Sequence, residues 1–171
     1  MTDSKETAAK PFVITRVFDA PRDLVWKAWT ETERMAKWWG PKGCSVVVSD
    51  MDLRPDGRYH YGMRMPDGSE MWGKFIYREV SPPERLVLVD SFSDKDGNIT
   101  RHPMSAEWPL EMLTTITFVP KGKGTEVTVT WVPINATEAE CKAFNAAHAS
   151  MQGGWSGTLD QFAAYLADEQ A

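Results

Sequence analysis

The side chains that could perform acid–base or metal chemistry in this chain of 171 residues are few and far apart. Its three histidines are His60, His102 and His148, and none has a metal-ligand spacing with another histidine, a cysteine or a carboxylate. His148 falls on the apolar stripe of the last predicted helix, where a hydrogen-bonded core histidine is our first interpretation. It is also the one residue on that helix face that could act as a general acid or base.

Other motifs that carry chemistry are missing from the sequence. It contains no Ser/His/Asp or Cys/His pattern and no glycine-rich phosphate loop. The stretch DSFSDKDGN, residues 90–98, has three aspartates in the manner of an EF-hand loop but lacks the glutamate at the twelfth position, so we interpret it as a solvated turn. The two cysteines, Cys44 and Cys141, are interpreted as reduced thiols. We therefore expect no metal, no cofactor and no catalytic residue.

Composition and charge exclude several classes of partner. The formal net charge is -5 without a basic cluster, which argues against nucleic acid and against an anionic membrane surface. No apolar run approaches the roughly 18 residues of a membrane span, and the reduced thiols favour a cytoplasmic protein. No linker divides the chain, so we expect a flexible tail at residues 1–10 and a single domain over residues 11–171. The 8 tryptophans and 9 methionines suit the lining of an irregular apolar space.

The stretch MAKWWGPKG, residues 35–43, places Trp38 and Trp39 side by side and follows them with a Gly-Pro pair. Adjacent residues cannot both lie on one face of a helix or strand. One indole should therefore be core, and the other should face a cavity, a rim or a ligand. The TETE motif that begins at Thr30 fits a capping box. Two short helices are predicted between Pro21 and Trp39.

Seven strands are predicted from alternating patterns separated by turns rich in proline, glycine and aspartate. PFVITRVF precedes the two helices, and six follow them: SVVVSDMDL, RYHYGMRM, MWGKFIYREV, RLVLVDSF, LTTITFV and TEVTVTWV. Their connections imply an antiparallel meander. Alternation places Tyr61 and Met63 on one face of their strand, and places Met112 and Trp131 among the inward residues of theirs.

The last segment is predicted to be one long helix. It begins at a capping box formed by Thr137 and Glu140, and its apolar stripe includes Met151 and Trp155. Three glycines interrupt the stripe, and close packing on the sheet or a bend would account for them: Gly153, Gly154 and Gly157.

Four stretches carry a resemblance to a known family: FDAPRDLVWKAWTETERMAKWWGP, LRPDGRYHYGMRMPDGSEMWGKFIYREVSPPERLV, GTEVTVTW and GGWSGTLDQFAAYL. Together they resemble the START-like, helix-grip superfamily, also called SRPBCC, and within it the family named for the activator of the heat-shock protein 90 ATPase. The resemblance implies an α+β helix-grip fold, in which a curved antiparallel sheet wraps around a long C-terminal helix and two short helices follow the first strand. It also implies a chaperone as one candidate partner.

A curved sheet and a helix rarely fill all the space between them, so we expect a cavity there. Its predicted lining is aromatic, methionine and histidine side chains: Trp38, Trp39, Tyr61, Met63, Met112, Trp131, His148, Met151 and Trp155. The longer connection at residues 93–109 is a candidate binding loop or rim of this cavity.

Three functions remain open at this point. The first is binding of a small, largely apolar molecule such as a lipid or aromatic metabolite, which the tryptophans and methionines favour. The second is an interaction protein that stimulates a chaperone ATPase, as the resemblance implies. The third is a cavity enzyme of the cyclase, dehydratase or hydrolase kind found in the superfamily, with His148 as acid or base and Tyr61 orienting the ligand.

Overall fold

The computed structural model describes residues 9–40, 43–102 and 105–171. Within these residues one antiparallel sheet of seven strands has the order β1-β7-β6-β5-β4-β3-β2. The strands are β1 (Phe12–Phe18), β2 (Ser45–Met51), β3 (Arg58–Arg64), β4 (Glu70–Ser81), β5 (Arg85–Ser93), β6 (Glu111–Lys121) and β7 (Gly124–Ile134). The helices are α1 (Arg22–Thr30), α2 (Thr32–Trp38), α3 (Glu138–Ala146) and α4 (His148–Glu169).

These elements confirm the predicted α+β helix-grip arrangement. Strands β2 to β7 form the meander, and β1 returns beside β7 at the far edge of the sheet. Register shifts after Val46 in β2 and after Tyr77 in β4 are β-bulges, which bend and twist a strand. The inner face of the sheet is buried, as the alternation of Ile116 and Phe118 in β6 shows. The curved sheet therefore encloses its core together with the helices.

Most of the expected tail, residues 1–10, lies outside the described residues, as does Pro41 of the Gly-Pro pair. Of the tail only Ala9 and Lys10 are described. The backbone N–H of Lys10 donates to the side-chain oxygen of Asn145 in α3 at 2.7 Å. The chain is thus already fixed to the domain just before β1 begins.

The predicted capping box at Thr30 is wrong. The Thr30 hydroxyl donates to the carbonyl oxygen of Trp26 at 2.7 Å, so it closes the end of α1. Glu31 occupies the N-cap position of α2 and makes no side-chain cap. The bond back along the helix competes with the capping role of a threonine, and here it prevails. In contrast, the capping box of Thr137 and Glu140 is present as predicted.

The single long C-terminal helix is also corrected by the structure. The helical segment is divided at Ala147, where the backbone leaves the helical region and α4 restarts without a side-chain cap. Close packing does not explain the glycines of α4, because a Cβ at Gly153, Gly154 or Gly157 would meet no heavy atom within 4 Å.

This open space predicts that replacing Gly153 by alanine stabilises the protein. Alanine is favoured over glycine in a helix interior by about 0.5–1 kcal/mol, which corresponds to about 1–4 °C in melting temperature for a domain of this size. Gly124→Ala is the matched opposite, because its Cβ would collide with the carbonyl oxygen of Phe18. Thermal unfolding followed by circular dichroism measures both. A destabilised Gly153→Ala variant would contradict the packing described for α4.

Candidate functional site

A pocket of about 570 Å³ lies between the inner face of the sheet and the N-terminal half of α4. Strands β3 to β7, the segment that joins β5 to β6, and helices α3 and α4 all contribute side chains to its walls. The lining is mostly aromatic, methionine and small side chains. Its volume falls within the range of about 300–1,000 Å³ that is usual for sites of small molecules.

Strand register explains which side chains meet at the pocket. Asp90 pairs with Phe75 in β4 and with Met112 in β6, and directly paired residues share one face of a sheet. Phe75 and Met112 are buried on the inner face, so Asp90 also points inward. Tyr61 pairs with Gly73, where a Cβ would collide with the phenol oxygen. That glycine therefore gives the tyrosine ring its place against the sheet.

The two neighbouring tryptophans both point into the protein, Trp38 into the core and Trp39 toward the pocket and not toward a rim. Trp38 ends α2, and its indole N–H donates to the carbonyl oxygen of Ala28 at 3.0 Å. Trp39 follows in an extended conformation, and its ring meets that of Trp38 edge to face, at 5.7 Å between centroids, as well as those of Tyr61 and Phe75. The change of backbone conformation between the two residues lets one indole enter the core and the other line the pocket.

Four indoles form a continuous wall around the pocket. The Trp39 ring centroid is 6.0 Å from that of Trp155, and Trp155 is 5.9 Å from Trp131. Trp131 is in turn 6.3 Å from Trp108. Trp155 meets Trp39 at 67° and Trp131 at 88°, which is the edge-to-face arrangement that aromatic pairs prefer. The rings therefore present both faces and edges to the enclosed space.

Two of these indoles leave a buried N–H group unpaired. Nε1 of Trp39 and Nε1 of Trp131 have no hydrogen-bond partner among the described residues. Burial raises the pKa of the Tyr61 phenol and of the Asp90 carboxyl, and the nearby Trp39 and Trp131 indoles respectively oppose part of that rise. A buried donor without a partner typically costs about 1–3 kcal/mol. The pocket wall thus retains unused hydrogen-bonding capacity.

Among the described residues that line the pocket, Asp90 is the acid; the sequence placed it both in the predicted strand RLVLVDSF and in the stretch interpreted as a solvated turn, and the strand is correct. It lies within β5, and only the following residues of that stretch, Asp94 to Asn98, form the turn. Burial raises the Asp90 pKa to about 7, against the smaller lowering effects of the Trp131 indole and the backbone N–H of Ser91. Its partial exposure is toward the pocket. A carboxyl group that changes charge near neutral pH therefore borders an apolar space.

The connection between β5 and β6 forms one side of the pocket. His102, Ser105 and Trp108 from this connection line the space, and burial lowers the pKa of the His102 imidazole. Arg101 forms an ion pair with Glu140 at the start of α3 and donates to the carbonyl oxygen of Trp108 at 3.3 Å. Arg101, followed by Thr137, lowers the pKa of Glu140. The capping box of α3 thus also holds the connection in place.

The structure brings together all but two of the residues predicted to line a cavity. Those at the pocket are Trp39, Tyr61, Met63, Met112, Trp131, Met151 and Trp155. Trp38 lies in the core between α1 and α4, where its ring meets Trp29 and Phe162. His148 lies outside the pocket, with its Nε2 atom 2.9 Å from the carbonyl oxygen of Lys10. His148 is therefore not placed to act on a molecule in the pocket.

Sequence reasoning missed Asp90 as a member of the site, while His102 and Trp108 belong to the connection at residues 93–109 that it gave as a candidate rim. Asp90 carried a usable signal, because the alternation of RLVLVDSF puts it on the same face as Leu86 and Leu88. His102 and Trp108 carried none beyond their location in a long connection. Their positions depend on the ion pair between Arg101 and Glu140, residues that are far apart in the sequence.

Three further features of the described residues concern metal ligands, membrane-spanning helices and cysteines. No three His, Cys, Asp or Glu side chains among them are grouped as metal ligands would be. None of their helices combines the length and apolar character needed to cross a membrane. Cys44 and Cys141 are both free, and burial raises the pKa of the Cys44 thiol.

Comparison with known proteins identifies the family. The family model described as "Activator of Hsp90 ATPase homolog 1-like protein" matches residues 19–167. The chain belongs to this family. The matched region contains the pocket, both short helices and nearly all of α4. A search of curated proteins gave no match.

Solved structures of bacterial proteins share the fold. Protein Ms6760 from Mycobacterium smegmatis is 27% identical, with a TM-score of 0.71 over 90% of this chain and 88% of that one. Protein NE0264 from Nitrosomonas europaea is 25% identical, with a TM-score of 0.75 over 94% and 96%. The AHSA1 protein SPO3351 from Silicibacter pomeroyi is 18% identical, with a TM-score of 0.70 over 94% and 99%, and shows the fold alone.

The position of Asp90 predicts that Asp90→Asn stabilises the protein at neutral and alkaline pH. Its folded pKa of about 7 lies above the ordinary value of 3.8, so the folded state binds the extra proton between these values. The stability that the folded state gains by keeping Asp90 protonated is therefore lost as the pH rises from about 4 to about 7. Because the asparagine of the variant does not titrate, we expect the variant's advantage to grow over this range to about 1–3 kcal/mol.

Urea unfolding at pH 4.5, 6 and 8 measures this difference. Asp50→Asn is the control, because Asp50 is an exposed acid on β2. Other carboxyl groups titrate alike in both proteins, so they cancel in the comparison. A constant difference between Asp90→Asn and the natural protein at all three pH values would contradict the buried position of the Asp90 carboxyl.

Proposed function

We propose that the protein binds a small, largely apolar molecule in the pocket between the sheet and α4. The observation that carries this proposal is the unfilled space of about 570 Å³ with four tryptophans in its walls. Protein interiors are otherwise packed at the density of organic crystals and have few voids larger than a water molecule. Lining side chains that border an open space forgo contacts that a packed core would provide. A ligand would supply these contacts.

Further support comes from the construction of the walls. Met63, Met112 and Met151 contribute unbranched side chains that adapt to irregular shapes, while the indoles give large rigid surfaces. The ion pair of Arg101 and Glu140 fixes the connection over one side. The pocket is therefore built on strands and a helix, which hold its shape without a ligand.

The family description supplies a second candidate, an interaction with a chaperone ATPase. An exposed apolar patch would be the surface for such a partner. Val17 of β1 and Val119 of β6 are about half exposed, and both are paired with Glu126 of β7 on the outer face of the sheet. This patch is small and lies opposite the pocket, so we rank it below ligand binding.

An enzymatic role is the third candidate, and Asp90 is the observation that favours it. A carboxyl group with a pKa near 7 suits proton transfer at physiological pH. His102 lines the same pocket.

The free Cys44 and Cys141 accord with the reducing cytoplasm, which we propose as the location of the protein.

Two glycines of α4 provide a matched test of ligand binding. Gly154 lines the pocket and Gly153 does not, and a Cβ at either position would meet open space. Binding of a neutral apolar compound such as 4-phenylbutanol should raise the melting temperature of the natural protein. At a hundredfold excess over Kd the gain is about 2.7 kcal/mol, or about 5–10 °C. Gly154→Phe should reduce this shift strongly, whereas Gly153→Phe should leave it unchanged.

Differential scanning fluorimetry and quenching of tryptophan emission measure the binding. A panel of aliphatic and aromatic alcohols, sterols and fatty acids extends the test beyond the first compound. If no member of the panel shifts the melting temperature, or if the two phenylalanine variants behave alike, the pocket is not a binding site. The patch around Val17 and Val119 then becomes the leading candidate.

A further inference from the structure

The pocket contains an acidic group, Asp90, that forms no ion pair with the described residues. We propose that its ligand is a hydrophobic amine, with the ammonium group held against the Asp90 carboxylate and between the surrounding indole rings. This inference rests on the proposed function, because it names the chemical class of the molecule that the same pocket binds.

Charge on the pocket walls favours a cation over an anion. Among the described residues that line the pocket, Asp90 is the only acid and none is lysine or arginine. Asp90 also takes part in none of the ion pairs formed within the described part of the chain. A carboxylate removed from water needs an opposite charge or several hydrogen bonds. A ligand ammonium supplies that charge, whereas a ligand carboxylate would add a second negative group.

The surroundings of Asp90 satisfy its carboxylate only in part. Its neighbours across the sheet are the apolar side chains of Phe75 and Met112. The backbone N–H of Ser91 and the nearby indole N–H of Trp131 both favour the charged form. A carboxylate has about four lone-pair sites, so two weak contacts leave room for further donors. The N–H groups of an ammonium ion would occupy these remaining sites.

The indole walls add a second attraction for the same group. A cation within about 6 Å of a ring centroid is attracted to the face of an aromatic ring, and tryptophan is the strongest such partner. Trp131 stands at 88° to Trp155, and Trp155 stands at 67° to Trp39. Rings at such angles surround a volume from several directions. The apolar remainder of the amine would then contact Met112 and Met151, which line the same space.

The proposal fixes the direction of the pH dependence. Among the described residues, the other titratable groups that face the pocket are Tyr61 from β3 and His102 from the β5–β6 connection, while the lining residues of α3 and α4 include no titratable group. Burial raises the pKa of Tyr61 and lowers that of His102, so both are neutral at pH 8. Amine binding should therefore be strongest above pH 7. It should weaken by up to about tenfold per pH unit as Asp90 takes up a proton.

Three compounds of the same skeleton test the proposal on the natural protein: 4-phenylbutylamine, 4-phenylbutanol and 4-phenylbutyrate. Isothermal titration calorimetry at pH 8 should give an affinity for the amine at least about tenfold above that for the alcohol, and weaker binding still for the acid. At pH 5.5 the preference for the amine should largely disappear, while binding of the neutral alcohol should stay constant.

Asp90→Asn removes the charge while keeping the size of the side chain. We expect it to lower amine affinity at pH 8 by about tenfold or more and to abolish the pH dependence, with little effect on the alcohol. Asp50→Asn on the exposed strand β2 is the matched control and should bind all three compounds as the natural protein does. Trp131→Phe keeps most of the apolar wall and removes the indole N–H, so it should weaken amine binding less than Asp90→Asn does.

The outcomes separate this inference from the proposed function. If none of the three compounds binds, the inference fails, and the wider panel of alcohols, sterols and fatty acids decides whether the proposed function also fails. If the alcohol binds as tightly as the amine, or the acid binds best, the pocket is a ligand site but the amine assignment is wrong. The comparison of compounds on the natural protein decides this point even if Asp90→Asn does not fold. If Asp90→Asn folds and keeps the full preference for the amine, Asp90 is not its counter-ion.

Discussion

The packing of α4 by its C-terminal half is the interaction on which the site depends. Phe162 lies 4.8 Å from Phe18 of β1, 6.1 Å from Trp29 of α1 and 4.4 Å from Trp38 of α2, measured between ring centroids. Leu159 and Leu166 are buried beside it. These contacts anchor the helix at one end of the sheet. The aromatic rings in these contacts have large buried apolar areas, so each contributes more to stability than most other side chains of the domain.

Anchoring at one end leaves the other half of α4 to border the pocket. Met151 and Trp155 are buried along it, yet the glycines beside them add no side chains to fill the space. The break at Ala147 turns the chain between α3 and α4, and Arg101 holds the β5–β6 connection to the start of α3. One half of the helix thus stabilises the fold, and the other half borders the pocket.

The regular features of the fold could be predicted from the sequence because alternation, short turns and the Thr137 capping box depend on neighbouring residues. The placement of His148 failed because it is the first residue of α4, where its ring lies against Phe12 and Phe144 and not in the pocket. The polar chemistry of the pocket could be predicted less well, because it arises from contacts between distant strands. Asp90 looked like part of a turn from its neighbours in the chain, but its partner across the sheet in β6 is Met112. Apolar wall residues are recognisable from composition, and strand alternation marks Asp90, whereas the position of His102 depends on the ion pair between Arg101 and Glu140, which are far apart in the sequence.

Because the residues that anchor α4 differ from those that line the pocket, membership of the family does not identify a ligand. The residues that anchor α4 determine the fold, and a fold of this kind is shared with Ms6760 and NE0264 at 27% and 25% identity. The residues that would select a ligand lie on the walls, where a substitution changes the charge or shape of the space without disturbing the anchor. If the protein binds a ligand as proposed, its wall residues and not the fold as such would determine which molecule it binds. In this chain the wall combines a carboxylate with four indoles, and that combination is what a ligand must match.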